Sequence, residues 1–298
     1  MKPFIIDAWT FDVGVAADSA AGYVKACASR VEQSWDNGAD LVLFPEYTWA
    51  GLEPHLREGG GLRGVAQTFW QQVMPRLHER LSREGKAVVL GTAPFLDPTS
   101  SRLLNRAPVI ANGKLMTQDK LFLTPWERAF RRGESLRVFE FNGLRIAVLI
   151  CLDIEVPELS AILRGRGIDL ILVPSATESL LGCERITRCA SARAVELCCA
   201  VVVAPLVGRC VSELVDQNVG KIACYLPSQA AFAEAGRLLE SEVHREGFHT
   251  ARFSLAQALL TMTRRMKAET NPSLIEIGAT LPPLDSSQPP ATANPYRV

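Results

Sequence analysis

The sequence predicts an α/β fold in which helices are layered over sheets. Apolar runs such as IAVLI and DLILVP indicate strands that are buried on both faces. These runs alternate with longer stretches of helical periodicity, the pattern of mixed helix and sheet layers. Residues 38–48 (GADLVLFPEYT) and 167–177 (GIDLILVPSAT) also repeat each other. From this repeat we expect two similar halves packed face to face with strand ends meeting at one cleft, although chance likeness of two β–α units is the alternative.

The first third of the chain predicts a strand, a helix and a second, buried strand, followed by another helix. The first helix ends at an Asn-Gly pair, which is a turn signal. The predicted bounds are 3–11 for the first strand, Ser19–Trp35 for the helix, 41–45 for the buried strand, Leu62–Arg83 for the second helix and 86–95 for the extended segment after it.

Two further Asn-Gly pairs predict β-hairpins, because Asn-Gly favours the two-residue turns that join antiparallel strands. The first, at 112–113, joins strands over Asn105–Ile110 and Lys114–Thr117, and the second, at 142–143, joins SLRVFEF to LRIAVLI. The last residues, from about Ala279, are rich in Pro, Ser, Thr and Asn. We therefore predict one domain over residues 1–280 and a Pro-rich C-terminal tail over 281–298.

Composition argues against several classes of partner. The 298 residues carry 32 Lys plus Arg and 32 Asp plus Glu, so the formal net charge is zero. A chain without a global positive field has little to attract nucleic acid or an anionic membrane. No apolar run approaches the ~20 residues of a membrane span. A small-molecule partner is therefore favoured, with neither nucleic acid nor a membrane involved.

Eight cysteines are present, and several lie in apolar text such as VELCCAVVVAP. A long chain with no leader-like N-terminus favours reduced thiols and a cytoplasmic location over a disulfide framework. Cysteines 183, 189, 198, 199 and 210 form no C-x-x-C pair and have no His at ligand spacing, so we expect no structural zinc and no other metal.

Two segments carry charged residues with catalytic potential. Glu46 directly follows a buried strand, where partial desolvation would raise the pKa of its carboxyl toward that of a general base. Lys120 lies among apolar residues, and Glu127 follows seven positions later, so one loop could supply a cation and a second carboxylate. An exposed loop Glu and a surface Lys with a buried stem are the plain alternatives.

Cys151 is the candidate nucleophile. It follows the strand IAVLI directly, and Pro157 with Glu158 opens a helix a few residues later. A residue at a sharp strand-to-helix turn projects into a cleft with backbone N–H groups beside it, as an oxyanion hole requires. An inert buried thiol is the alternative. A pair with one of the four histidines (55, 78, 244 and 249) has no motif to support it.

The motifs PEYTW, DKLFLTPWER and ICLDIEVPE, in this order and spacing, resemble the nitrilase, or carbon–nitrogen hydrolase, superfamily. The resemblance covers residues 3 to 256 and includes SARAVELCCAVVVAPLVG, which looks like the family's helix and strand after the nucleophile half. It implies an α-β-β-α four-layer sandwich with pseudo-two-fold halves. Its branch resembles members often fused to an acyltransferase domain, and we expect no such domain here, since only a short tail follows residue 280.

The resemblance implies a catalytic triad of Glu46 as general base, Lys120 as the oxyanion's cation and Cys151 as nucleophile, with Glu127 as an additional carboxylate. It implies an amidase-like enzyme that cleaves a non-peptide carbon–nitrogen bond of a small amide through a Cys thioester, without a cofactor, in a homodimer or larger homo-oligomer. The expected substrate contacts are Tyr47, Trp126, Leu152 and Thr177.

Departures from the family pattern keep alternatives open. Many amidase branches carry Arg four residues after the nucleophile, where this chain has Glu155, and an aromatic residue is common in place of Leu152. Asp153 resembles the amidase and carbamoylase branches, whereas true nitrilases more often carry Trp-Glu after the Cys. The alternatives are a nitrilase, an acyl-transferring enzyme and a non-catalytic binding protein of the same fold.

A basic cluster follows Glu127, and we interpret it as a solvated or interface surface. Its members are Arg128, Arg131, Arg132 and Arg137.

Overall fold

Two β-sheets pack face to face between outer layers of helices, which confirms the α-β-β-α sandwich. The computed structural model describes residues 3–15, 17, 19–55, 61–212, 214–232 and 239–263. The predicted tail over 281–298, and with it the predicted domain boundary at 280, lies outside these residues. No helix of the described part is long and apolar enough to cross a membrane.

The strands are numbered in chain order. The first sheet contains β1 (Phe4–Trp9), β3 (Leu41–Leu43), β4 (Ala87–Val89), β5 (Ala93–Leu96), β6 (Leu103–Ala111), β7 (Lys114–Asp119) and β15 (Thr250–Leu255). The second contains β2 (Phe11–Asp12), β8 (Val138–Phe141), β9 (Leu144–Val148), β10 (Leu170–Ser175), β11 (Ala200–Arg209), β12 (Gln217–Asn218), β13 (Ala223–Tyr225) and β14 (Leu239–Glu240).

The helices flank the sheets on their outer faces. The described α-helices are α1 (Ala20–Asp36), α2 (Gly61–Thr68), α3 (Met74–Leu81), α4 (Pro157–Leu163), α5 (Leu180–Leu197) and α6 (Gln257–Thr263). Helices α1 to α3 cover the first sheet, and α4 and α5 cover the second. Ser19 and Ser179 cap α1 and α5 respectively, since each side chain accepts a hydrogen bond from a backbone N–H of the first turn.

The sheet register supports the two similar halves expected from the sequence repeat. In the first half, β1, β3 and β4 are parallel and β6 is antiparallel to β4. In the second half, β9, β10 and β11 are parallel and β13 is antiparallel to β11. Leu41 pairs with Ile6 and Ala87, and the repeat's equivalent residue, Leu170, pairs with Ile146 and Ala200 in the same way.

The repeated aspartates explain part of this likeness. Asp40 Oδ2 accepts the backbone N–H of Ile5 at 2.8 Å, and Asp169 Oδ2 accepts that of Arg145 at 2.6 Å. Each carboxylate therefore binds the first strand of its own half at the point where the central strand begins. Both aspartates are buried, so these hydrogen bonds satisfy groups that would otherwise be costly to desolvate.

Strand β3 shows how one strand serves two cores. Leu41 and Leu43 belong to the apolar cluster between the sheets, whereas Val42 and the following Phe44 belong to the cluster beneath α1 to α3. Alternate side chains of a strand point to opposite faces, so a continuous apolar run fits a strand covered on both sides. This burial fixes the register of the strand and hence the place where it ends.

Three predicted segments differ in detail from the structure, and the first of them, the strand over 3–11, divides into β1 and β2. The predicted helix over Leu62–Arg83 is interrupted by a π-helical turn at Phe69–Val73. The extended segment 86–95 divides into β4 and β5 at Gly91, whose φ is +73°. A Cβ on Gly91 would lie 2.0 Å from the carbonyl oxygen of Pro45, so the turn after β4 can approach the residue before Glu46 only because position 91 is glycine.

One chain segment belongs to both sheets. Strand β1 pairs with β3 and β15 in the first sheet, and two residues later β2 pairs with β11 in the second sheet. Asp12 then accepts backbone N–H bonds from Gly14 and Gly247, at 2.8 and 2.5 Å. The two sheets are therefore connected directly beside the strand ends, as well as through the core between them.

Candidate active site

The ends of three strands from both sheets bring the predicted catalytic residues together. Glu46 follows β3, Lys120 follows β7, and Cys151 follows β9. Glu127 lies on the loop after Lys120. All four side chains are almost completely buried. The structure therefore places a cation, two carboxylates and a thiol at one position between the two halves.

Cys151 occupies the sharp turn that the sequence predicted. Its φ is +47°, in the left-handed region that is uncommon for residues other than glycine, and a 3₁₀ turn over Cys151–Glu155 leads into α4. Strained backbone of this kind is often found at functional sites. The thiol donates a 3.3 Å hydrogen bond to the backbone oxygen of Ala176, at the end of the neighbouring strand β10.

Lys120 binds both carboxylates. Its Nζ lies 2.8 Å from Glu46 Oε1 and 2.9 Å from Glu127 Oε2. The side chain is only 1% exposed, so its charge depends on these partners for compensation. The second oxygen of Glu46, Oε2, is buried and has no hydrogen-bond partner among the described residues. This oxygen is free to accept a proton from a neighbouring group.

Asn105 and Tyr47 complete the hydrogen bonds around the carboxylates. Asn105 Nδ2 donates to Glu46 Oε1 at 2.8 Å and to Glu127 Oε1 at 3.3 Å. The Tyr47 hydroxyl donates to Glu127, and the backbone N–H and hydroxyl of Thr124 donate to Glu127 Oε2 at 2.8 and 2.9 Å. Sequence reasoning missed Asn105, for which a single amide inside the apolar strand LLNRAPVIA was the available signal.

Asp153 connects the lysine loop to the nucleophile turn. Its fully buried carboxylate accepts hydrogen bonds from the backbone nitrogens of Phe122 at 2.8 Å, Leu121 at 3.2 Å and Ile150 at 3.1 Å. Burial raises the pKa of this carboxyl to about 7, against the opposing effects of Lys120 and the three N–H groups. From the sequence, Asp153 was considered only as a mark of the amidase branch.

The buried charges shift one another's pKa. Burial raises the pKa of Glu46 above its ordinary value, and Lys120 opposes that rise. For Glu127, Lys120 and its several hydrogen-bond donors outweigh burial, and its pKa is lowered. Burial would lower the pKa of Lys120, but the adjacent carboxylates raise it instead. The two carboxylates thus favour the charged form of Lys120, and Glu46 is the carboxylate that more readily takes a proton.

The surroundings of Cys151 favour the protonated form of its thiol. Burial, and after it the charge of Glu46, raises the pKa of Cys151 well above that of a free thiol, and Lys120 acts in the opposite direction. A protonated thiol is a weak nucleophile, so attack requires a base that removes the proton during the reaction. Glu46, which affects this thiol's pKa and has its own pKa raised, has the properties of that base.

A cleft of about 120 Å³ opens beside the thiol, and it contains all four predicted substrate contacts: Tyr47, Trp126, Leu152 and Thr177. Trp126 is 57% exposed at this cleft, whereas Tyr47 is buried against Glu127. The hydroxyl of Thr177 donates to the backbone oxygen of Val219 at 2.7 Å. Thr177 therefore shapes the wall of the cleft with its hydroxyl already bonded.

The cleft also contains polar residues that the sequence did not single out as substrate contacts. Glu155, which stands where many amidases carry Arg, lines it together with Glu178, Arg185 and Asn218. Glu155 pairs with Arg185 at 3.2 Å. These residues come from the nucleophile turn, the segment after β10, helix α5 and β12, so no local motif could have grouped them.

The other candidates lie elsewhere. None of the four histidines lines the cleft, and the rings of His244 and His249 stack on each other with centroids 4.2 Å apart. The basic cluster is dispersed: Arg131 pairs with Asp97 and Glu134, and the other members also lie outside the cleft lining. All eight cysteines lie within the described residues, and none of them forms a disulfide. Within the described residues, no group of three or more His, Cys, Asp or Glu is arranged to hold a metal ion.

A family comparison decides the classification. Residues 11–256 match the model of the carbon–nitrogen hydrolase family, which covers most of the chain. The chain belongs to this family. Its family membership confirms the resemblance that the three motifs suggested.

Curated relatives of this family member match it over part of their length. A Bacillus subtilis protein named "Probable hydrolase YhcX" is 29% identical over 222 residues, 72% of this chain and 43% of that protein. An "(R)-stereoselective amidase" of a Pseudomonas species is 30% identical over 136 residues, 45% of this chain and 47% of that protein. The chain thus spans less than half the length of these two relatives.

Solved structures share the fold of this chain at low sequence identity. An amidase of the nitrilase superfamily from Nesterenkonia AN1 superposes with a TM-score of 0.65 and 20% identity, over 88% of this chain and 95% of that chain. Nit3 of Saccharomyces cerevisiae, of the same superfamily, gives a TM-score of 0.69 and 18% identity, over 91% and 96% of the two chains. These likenesses support the sandwich fold.

Proposed function

We propose that this carbon–nitrogen hydrolase is an amidase that cleaves small-molecule amides through a thioester on Cys151. The observation that carries the proposal is the contact of Lys120 with both Glu46 and Glu127 at 2.8 and 2.9 Å, beside a buried thiol at a strand-to-helix turn. Such a site holds a base, a cation and a nucleophile in fixed positions before substrate arrives, which is what covalent acyl transfer requires.

In the first step, the Cys151 thiol loses its proton to Glu46 as the sulfur attacks the carbonyl carbon of the amide. The developing oxyanion is stabilised by Lys120 and by the backbone N–H of Leu152, next to the nucleophile. A preorganised donor of this kind contributes about 3–4 kcal/mol in other oxyanion holes. The tetrahedral intermediate then collapses as Glu46 returns the proton to nitrogen, releasing ammonia or an amine and leaving the thioester.

In the second step, Glu46 takes a proton from water, and the resulting hydroxide attacks the thioester carbon. Collapse of this intermediate breaks the carbon–sulfur bond, releases the carboxylic acid and returns the proton to Cys151. Glu127, held by Tyr47 and Thr124, stays ionised because its pKa is lowered, and it fixes Lys120 and orients substrate or water. The relative named as an amidase supports amides over nitriles as substrates.

The direct test is Cys151→Ala, with Cys189→Ala on α5 as the matched thiol control. Ammonia release from a panel of short aliphatic amides and the matched nitriles is followed for both variants. The proposal expects hydrolysis of amides by the Cys189→Ala variant and none by Cys151→Ala, with an acyl adduct on Cys151 detected by mass spectrometry in the parent protein. A higher kcat/KM for nitriles than for the matched amides would classify the enzyme as a nitrilase. Amide hydrolysis by Cys151→Ala would contradict the proposal.

A further inference from the structure

Asn105 contacts three of the four charged or nucleophilic residues of the site. It lies on β6, a strand outside all three sequence motifs, and its side chain is only 1% exposed. Its Nδ2 donates to Glu46 Oε1 at 2.8 Å and to Glu127 Oε1 at 3.3 Å. Its backbone oxygen accepts the N–H of Lys120 at 2.8 Å. One residue therefore holds both carboxylates and the cation at the same time.

The side-chain amide of Asn105 faces the two carboxylates and leaves its own oxygen unpaired. An amide offers two donor hydrogens on nitrogen and acceptor sites on oxygen, and Nδ2 donates to Glu46 and Glu127. Oδ1 is buried and has no hydrogen-bond partner among the described residues. An unpaired buried acceptor is costly, and an asparagine that only stabilised the strand would pair both ends of its amide. The orientation therefore points to a role of Nδ2 toward the carboxylates.

The two oxygens of Glu46 differ in their surroundings. Oε1 accepts hydrogen bonds from Asn105 Nδ2 and from Lys120 Nζ, each at 2.8 Å. Two donors occupy the two lone pairs of a carboxylate oxygen, so Oε1 can take a proton only if one donor leaves. Oε2 has no partner within the described part of the chain. A proton that reaches Glu46 is therefore directed to Oε2.

We infer that Asn105 is a positioning residue that favours the ionised form of Glu46 and leaves Oε2 as the oxygen that accepts the thiol proton. The inference rests on the amidase reaction proposed above, in which Glu46 is the base, and it adds a residue that the reaction did not yet use. A hydrogen bond donated to a carboxylate favours its charged form. Lys120 also donates to Glu46, but it is needed for the oxyanion during attack. Asn105 has no such second task, so its hydrogen bond stays on Glu46 throughout.

The groups that face Glu46 act on its ionisation in opposite directions. Burial raises the pKa of Glu46, Lys120 opposes that rise, and the negative charge of Glu127 adds to it. The other titratable groups that feel the charge of Glu46 are the Cys151 thiol and the Tyr47 hydroxyl. Lys120 is thus the one cation in this set. A neutral donor on Oε1 extends the pH range in which the carboxylate is ionised, without adding a charge to the site.

Asn105→Leu removes the donor without leaving either carboxylate oxygen unpaired. Oε1 of Glu46 keeps its hydrogen bond from Lys120. Oε1 of Glu127 keeps those from Lys120, at 3.0 Å, and from the Tyr47 hydroxyl. We expect the acid limb of kcat/KM to move up by about one pH unit, and kcat above that limb to fall about tenfold with KM changed little. The melting temperature should change little, because Leu also removes the unpaired Oδ1. A lower melting temperature with an unmoved acid limb would overturn the inference.

Two further variants separate positioning from stability. Ser34→Ala, on helix α1, removes the acceptor of a buried 3.0 Å hydrogen bond from Trp9 Nε1. It should lower the melting temperature and leave the acid limb unmoved. Asn105→Asp replaces the donor by a third carboxyl group beside Glu46 and Glu127, and carboxylates that share a site cannot all ionise readily. Its acid limb should lie above that of Asn105→Leu, and a limb at the parent position would contradict the inference.

A direct titration distinguishes failure of this inference from failure of the proposed function. Carbon-13 NMR of protein labelled at the glutamate carboxyl, with the Glu46 resonance assigned through Glu46→Gln, measures the pKa of Glu46 without turnover. We expect this pKa to be about one pH unit higher in Asn105→Leu than in the parent protein. Equal pKa values would overturn the inference, even where the parent protein hydrolyses amides. A higher pKa in Asn105→Leu would support the role of Asn105, even where no amide is hydrolysed and the proposed function fails.

Discussion

The backbone nitrogen of Phe122 donates a 2.8 Å hydrogen bond to Oδ1 of Asp153. The same carboxylate accepts from the nitrogens of Leu121 and Ile150. Leu121 directly follows Lys120, and Ile150 directly precedes Cys151. The buried side chain of Asp153 therefore fixes the backbone beside both Lys120 and Cys151, although Asp153 itself takes no part in the proposed chemistry.

Replacing this carboxylate tests its positioning role. Asp153→Asn keeps the shape but presents an NH2 group to one or more of the three N–H donors. We expect kcat to fall by about 10- to 100-fold with KM changed little, since loss of alignment affects the transition state more than binding. Steady-state kinetics on an amide substrate measure this. Asp169→Asn is the control, because it also removes a buried carboxylate bonded to a backbone N–H, but at the start of β10 and not at the end of that strand where the site lies. It should lower stability without the same loss of kcat.

The raised pKa of Asp153 predicts how stability depends on pH. The unfolded chain ionises this carboxyl near pH 4, whereas the folded chain does so near pH 7. Between these values the folded state binds more protons, so this residue's contribution to the free energy of unfolding falls as the pH rises from about 4 to about 7. Urea unfolding at a series of pH values should show a shallower decrease for Asp153→Asn than for the parent protein. An unchanged slope would contradict the assignment.

Activity should rise with pH through the ionisation of Glu46. The base must be a carboxylate to accept the thiol proton, and burial raises its pKa above the ordinary 4.5. The acid limb of kcat/KM should therefore lie above pH 4.5. Glu46→Gln should remove turnover, and a limb that coincides with the lowered pKa of Glu127 would indicate that the roles of the two carboxylates are reversed.

Lys120→Met should lower both kcat and the free energy of unfolding. Its removal leaves Glu46 and Glu127 buried without their shared cation, and breaking such buried pairs costs about 3–5 kcal/mol. Loss of a principal oxyanion donor lowers kcat by about 10²- to 10³-fold. Thermal unfolding and single-turnover kinetics separate the two effects. Lys114→Met, on the exposed side of β7, should change neither quantity. A rise in KM alone would assign Lys120 to substrate binding.

An exposed apolar surface on α4 and α5 supports the expected homo-oligomer. Ile162, Leu181 and Val195 are 55%, 75% and 41% exposed. Leu181 and Val195 are fourteen positions apart on α5, so they lie within about 40° of each other around the helix axis. We expect light scattering at micromolar concentration to show a dimer or larger assembly. The double variant that carries both Ile162→Lys and Val195→Lys should be a monomer in the same measurement. A monomeric parent protein would contradict this.

The site residues that lie directly after buried strands could be predicted from the sequence. Continuous apolar runs identify β3 and β9 as strands buried on both faces. Glu46 and Cys151 follow these strands, at the edge of the sheets where the ends of parallel strands meet. The lining of the cleft could not be predicted in this way. Asn218 and Arg185 come from β12 and α5, whose placement depends on how the sheets pack, and the bond between Asp153 and Phe122 joins residues 31 positions apart.

Register along the repeated strands divides the chemistry between the halves. Leu41 and Leu170 are equivalent positions of the two halves, and the residues five positions after them are Glu46 and Ser175. Ile6 and Ile146 are also equivalent, and the residues five positions after them are Phe11 and Cys151. Each half thus carries an inert residue at the position where the other carries a reactive one. Neither half alone could complete a turnover, so two separately expressed fragments would regain activity only by reassembling the whole sandwich.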